Sequence, residues 1–196
     1  MHADAQRLFA LDASLRSEAE QMLARSGIGP ILDRAGYRVV GSCPMHTMTW
    51  RDLDFERIQE APDWGDHWAV GAKLAATGWP WRQVCTDHYR HPWRPEKGLY
   101  WGLRVTPPGG GDTWKLDLWT ARAEEFASAM PKRRIWASLM TDENRSHVLA
   151  IKETVCADPE YRKSLLSVHV YEAVLENGIR DLDSFRSWWA SRYGQP

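Results

Sequence analysis

The stretch 52–59, Asp-Leu-Asp-Phe-Glu-Arg-Ile-Gln, constrains this chain more than any other. Successive side chains of an extended strand point to opposite faces, so Asp52, Asp54 and Glu56 share one side while Leu53 and Phe55 share the other. One face is therefore suited to a core and the other to a site. Asp52 and Asp54 stand close enough to repel, and each favours its neutral form unless positive charge lies between them. A divalent metal is the usual remedy for such a pair at the mouth of a sheet.

The rest of the chain gives that strand a setting. A length of 196 residues suits one domain, or one domain with a helical appendix, and permits a proper core. Twenty-five basic and twenty-six acidic side chains leave a net charge of -1, which argues against a long nucleic acid as the main partner. The three cysteines, Cys43, Cys85 and Cys156, are odd in number and widely spaced, so thiols in a reducing cytoplasm are expected rather than a disulfide framework. Residues 1–15 alternate apolar with charged side chains and read as a helix, not a signal peptide, and no segment approaches a membrane span. The twelve tryptophans serve either a core or a binding cleft, which composition cannot divide.

Periodicity then orders the elements. Leu8, Leu11, Leu15, Ala19, Met22 and Leu23 recur at helical spacing over 4–25, a short helix is expected over 30–35, and 37–42 is the first strand. After the strand at 52–59, a helix spans about 63–77, and strands follow at 81–89, 99–106 and 113–120. In the last of these Leu116 and Leu118 face inward, and Lys115, Asp117 and Trp119 face the other way. From Arg122 onward the period is helical: one helix begins at Thr141-Asp142-Glu143, one runs from Pro159-Glu160 to Asn177-Gly178, and Asp181 to Ser184 caps the last, which carries Phe185, Trp188, Trp189 and Tyr193. The fold class expected is α+β, a small mixed sheet flanked by helices with a helical C-terminal part. The organisation expected is an α/β domain over 1–121 and a helical subdomain over 122–196.

Gly41-Ser42, Asp52-Leu53-Asp54 ten positions further on, and a lone strand carboxylate at Asp117 resemble the motif of the DNA polymerase β-type nucleotidyltransferase superfamily. That group includes small bacterial enzymes that adenylylate aminoglycosides and lincosamides. The resemblance covers roughly 37–121 and implies a nucleotidyltransferase-like sheet. It implies that Asp52, Asp54 and Asp117 bind Mg²⁺, and that Asp117 serves the metal nearest the acceptor and helps take its proton. By the same resemblance Gly41 lets the backbone approach a triphosphate, and Ser42 offers a hydroxyl and an N–H to a phosphate oxygen. Arg51 departs from the pattern, which often has a small polar residue there. It is expected either to touch the triphosphate or to pair with Asp52 or Glu56 and stabilise an empty site.

Other residues have plainer readings. Glu56 reads as a solvated strand residue and His46 as part of a loop. Cys85, His88 and His91 lie three apart, a spacing that does not share a strand face, and lack an obvious fourth zinc ligand. In related enzymes a basic residue of the C-terminal helices grips the triphosphate, and Arg133, Arg145 and Lys152 are candidates. Trp50, Trp114 and Trp119 flank the proposed ligands and suit either stacking on a ring or core packing.

The resemblance thus implies transfer of a nucleotide, AMP from ATP, to a hydroxyl of a small molecule. If that acceptor is an aminoglycoside, Glu56, Asp63, Asp66 and Asp87 are expected to make its cleft acidic. The alternative is a nucleotide-binding or toxin–antitoxin-type interaction protein of the same fold, with a protein target or no turnover. The oligomeric state is open, with a homodimer one of the arrangements allowed.

Overall fold

The computed structural model describes residues 2–91, 93, 96–161 and 163–194; Met1, where the expected N-terminal helix starts, lies outside them. The first helix, α1 (His2–Ser26), buries Leu8, Leu15, Ala19 and Met22 as their spacing requires. Helix α2 (Ile28–Arg34) begins two residues before the expected start. Pro30 still falls in its first turn, where a missing N–H costs nothing. Strand β1 (Arg38–Val40) is shorter than expected because the chain turns at Gly41.

Strand β2 (Asp52–Ile58) alternates half-buried and buried residues along Asp52 to Arg57. Helix α3 (Trp64–Ala76) is capped by Asp63, whose carboxylate accepts from the Asp66 N–H at 2.6 Å. Strand β3 (Pro80–Asp87) ends earlier than expected. Asp87 accepts from the Tyr89 N–H at 3.0 Å and turns the chain into one 3-10 turn, His88–Arg90. Strands β4 (Leu99–Val105) and β5 (Trp114–Ala121) bury the alternate residues that their sequence marks as inward.

The five strands form one mixed sheet in the order β1-β2-β5-β4-β3. The β2–β5 pair is parallel, and the other three pairs are antiparallel. On one face Leu53, Phe55, Leu116, Leu118, Trp101, Leu103 and Val105 pack with residues of α1, α2 and α3 into the first core. The opposite face carries the carboxylates.

A second core lies in the C-terminal helices. Helix α4 (Ala129–Leu139) contributes Trp136, and α5 (Asp142–Val155), capped by Thr141 as expected, contributes Val148, Ile151 and Val155. The helix expected from Pro159 begins instead at Ser167, as α6 (Ser167–Tyr171), which runs into a π-helical turn, Glu172–Glu176. The Asp158 carboxylate accepts from Glu160 N–H at 2.9 Å, and the Glu160 carbonyl gathers the N–H groups of Lys163, Ser164 and Leu165 at 3.0, 3.2 and 3.1 Å. That local closure competes with helix, and it delivers Leu165 to the second core. Helix α7 (Leu182–Tyr193), capped by Asp181, closes the chain with Phe185 buried. Met45, from the turn after β1, reaches into this second core. Among the described residues no helix is long and apolar enough to cross a membrane.

Candidate metal centre

The parallel register places Asp54 directly beside Asp117 and Asp52 beside Lys115. Because side chains on one face repeat every two residues, Asp52, Asp54, Lys115 and Asp117 all project into one space. One carboxylate oxygen from each aspartate lies within 4.8 Å of the others. Among the described residues no other group of three or more His, Cys, Asp or Glu side chains converges in this way, and Cys85, His88 and His91 do not.

Among the described residues, three side-chain donors are seen at this cluster. The Lys115 ammonium lies 3.1 Å from Asp52 Oδ1 and also bonds Asp117 Oδ2. The Tyr100 hydroxyl donates to Asp117 Oδ1 at 2.9 Å, and the Trp50 indole N–H donates to Asp52 Oδ2 at 3.3 Å. Gly102, the register partner of Asp117, leaves the space in which the Tyr100 ring lies; a side chain there would collide with it. None of these donors reaches Asp54. Burial, then the neighbouring Asp52, push its carboxyl up to about 7, with Asp117 adding and Lys115 and Lys152 opposing. For Lys115 burial disfavours the charge, but Asp52 and Asp117 outweigh it and the pKa rises.

Lys115 is the residue that sequence reading passed over, although its place two positions before Asp117 on the same strand face was the signal. Arg51, by contrast, pairs with neither Asp52 nor Glu56. Its guanidinium grips Glu18 at 2.7 and 2.9 Å and meets Asp112 at 2.9 Å.

Gly41 turns the chain with φ of 73°, in the left-handed region. A Cβ there would lie 2.7 Å from Asp54 Oδ2, so the glycine leaves the carboxylate its room. The Ser42 carbonyl accepts from the Thr47 N–H at 3.0 Å, closing the turn. Lys152, 1% exposed, donates to the Thr47 carbonyl at 2.6 Å and lies 5.0 Å from the Trp50 ring centre. Arg145 donates to the His46 carbonyl at 2.9 Å. Two of the three C-terminal candidates thus hold the turn's backbone. The third, Arg133, pairs with Glu56 through two bonds of 2.7 and 2.6 Å.

Two cavities flank the carboxylates. One of about 530 Å³ lies between the sheet and the C-terminal helices and is lined by Gly41, Asp54, Glu56, Lys132, Arg133 and Trp136 among others. The other, about 430 Å³, opens on the side of Asp117 and Tyr100. Trp119 lines both. Trp114 belongs to the first core, its indole N–H donating to Glu18 at 2.9 Å.

The chain matches no protein-family model and no curated protein.

Proposed function

We propose that the chain is a Mg²⁺-dependent nucleotidyltransferase that moves AMP from ATP to a hydroxyl of a small molecule. The observation that carries the reading is the convergence of Asp52, Asp54 and Asp117 within 4.8 Å beside the Gly41-Ser42 turn. The donor set is all carboxylate oxygen, the chemistry Mg²⁺ prefers, and the burial of Asp54 beside two other anions leaves a demand for positive charge. Asp52, Asp54 and Asp117 would hold the metal, which when bound supplies counter-charge to the attacking and leaving oxygens.

The chain's own residues do the rest. In the transfer the acceptor oxygen bonds to the α-phosphorus, the bond from that phosphorus to pyrophosphate breaks, and the acceptor proton passes to a carboxylate oxygen of Asp117. Lys132 lines the larger cavity as a cation for the triphosphate, and Arg133 joins it there on exchanging Glu56 for a phosphate oxygen. Tyr100 and Lys115 orient Asp117 by donating to it. The near balance of acidic and basic residues favours a small acceptor over a long nucleic acid, and three cysteines outside any disulfide suit a reducing cytoplasm.

Lys115 favours a second reading. Its ammonium already pairs with both Asp52 and Asp117, as it would in a nucleotide-binding or partner-binding module without turnover. Incubation with labelled ATP, Mg²⁺ and hydroxylated acceptors separates the two. The enzyme reading expects pyrophosphate release that falls at least a thousandfold, on the order of what such metal ligands contribute, in Asp54→Ala. Activity surviving that change removes the metal assignment. Thermal stabilisation by ATP with no release under any acceptor supports the module.

A further inference from the structure

The smaller cavity has walls unlike those expected of an acceptor cleft in this resemblance. Five rings line it in an unbroken chain: Tyr100, Trp119, His88, His91 and Trp93. Successive centroids are 4.9 Å apart from Tyr100 to Trp119, 4.8 Å to His88, 6.3 Å to His91 and 5.3 Å to Trp93. Trp93 is 76% exposed, so its face is open to a partner ring rather than spent on the core. Asp117 is the one carboxylate lining this cavity among the described residues, and it already accepts from Tyr100 and Lys115.

The acids that would make an acidic cleft are engaged elsewhere. Glu56 is held by Arg133, Asp63 caps α3, Asp66 pairs with Arg57 at 2.7 Å, and Asp87 caps the following turn and meets Arg90 at 3.1 Å. A polycationic aminosugar entering here would lose water from several ammonium groups and meet a single, already bonded carboxylate. That desolvation is uncompensated. A neutral planar ring would instead stack on tryptophan and imidazole faces, and about 430 Å³ leaves ample room for one of two fused rings.

We infer that this cavity binds a neutral, planar aromatic molecule bearing a hydroxyl, oriented with the hydroxyl toward Asp117. Calling that molecule the acceptor rests on the nucleotidyl-transfer reading above; the binding itself does not.

Equilibrium dialysis of the full chain, without nucleotide or Mg²⁺, tests the binding. The probes are 2-naphthol (planar, neutral), 2-decalol (its saturated, non-planar counterpart) and kanamycin (polycationic). Saturable binding of 2-naphthol is expected, with the other two about tenfold weaker, as the loss of ring stacking implies. Trp93→Ala and, separately, His91→Ala, both at the rim and away from the core, are expected to weaken 2-naphthol about tenfold. Kanamycin binding as tightly as 2-naphthol, no saturable 2-naphthol binding, or indifference to both substitutions overturns the inference. Pyrophosphate release then separates the two claims. Release driven by kanamycin and by no planar phenol removes the claim that the bound molecule is the acceptor and keeps the transferase. Binding through Trp93 with no nucleotide-dependent stabilisation keeps the cavity's ligand class and removes the transferase.

Discussion

Asp54 stands apart from its two neighbours. Lys115, Tyr100 and Trp50 bond Asp52 and Asp117, while Asp54 sits half-buried beside both anions with its pKa raised to about 7. In the metal-free protein the consequence for stability follows from the direction of that shift. Between the ordinary value of 3.8 and about 7 the folded state binds more protons than the unfolded chain, so stability falls as pH rises through that window. Asp54→Asn, which stays neutral throughout, is therefore expected to stabilise the metal-free protein by about 4 kcal/mol at pH 8 and by about 1 kcal/mol at pH 4.5. Urea unfolding in the presence of a chelator at the two pH values measures it. An equal gain at both would mean that packing, not charge, governs the residue.

At the level of elements, the cluster is a product of register. The parallel pairing of β2 with β5 brings Asp54 beside Asp117, and a slip of one residue would send one of them to the core face. The turn leaving β1 matters as much. Gly41 is left-handed and touches Asp54 at once, so Gly41→Ala strains the backbone and also pushes on the carboxylate. A loss of about 1–3 kcal/mol in stability is expected, since a left-handed residue and a close contact each cost on this order. Weaker Mg²⁺-dependent thermal stabilisation should accompany it. Full retention of the Mg²⁺ response would show that the turn does not set the position of Asp54. The same strand logic was readable in the alternation of 52–59 and 113–120. The late start of α6 was not, because a carboxylate at Asp158 and a carbonyl at Glu160 closed a turn that residue spacing does not reveal.

The whole molecule is two cores joined across the Gly41–Thr47 turn. Lys152 joins them: its ammonium bonds the Thr47 carbonyl, reaches the Tyr171 hydroxyl at 3.2 Å and faces the Trp50 ring, four positions before Asp54. Thr47 adds a hydroxyl bond of 2.7 Å to Tyr171, and the Met48 N–H donates to Asp12 of α1 at 2.8 Å. The turn beside the site is thus held from both sides. Lys152→Met keeps the apolar stem but strands the Thr47 carbonyl, and a loss of about 2–3 kcal/mol in urea unfolding is expected. A loss below about 0.5 kcal/mol would show that the joint does not depend on this residue.

Strand alternation and helical periodicity determined the five strands, the helical C-terminal third and the shared face of Asp52, Asp54 and Asp117, because burial of one face imposes a period that residues carry locally. What charge balances those carboxylates was a tertiary matter. Arg51, next in sequence to Asp52, turns away to Glu18 and Asp112, while Lys115, distant in sequence, arrives through strand pairing. Which C-terminal cations face a cavity, and that one cavity is walled by rings rather than acids, depended equally on contacts between residues far apart in the chain. Ion pairs and stacked rings are chosen by proximity in space, and spacing along one strand or helix carries no record of it.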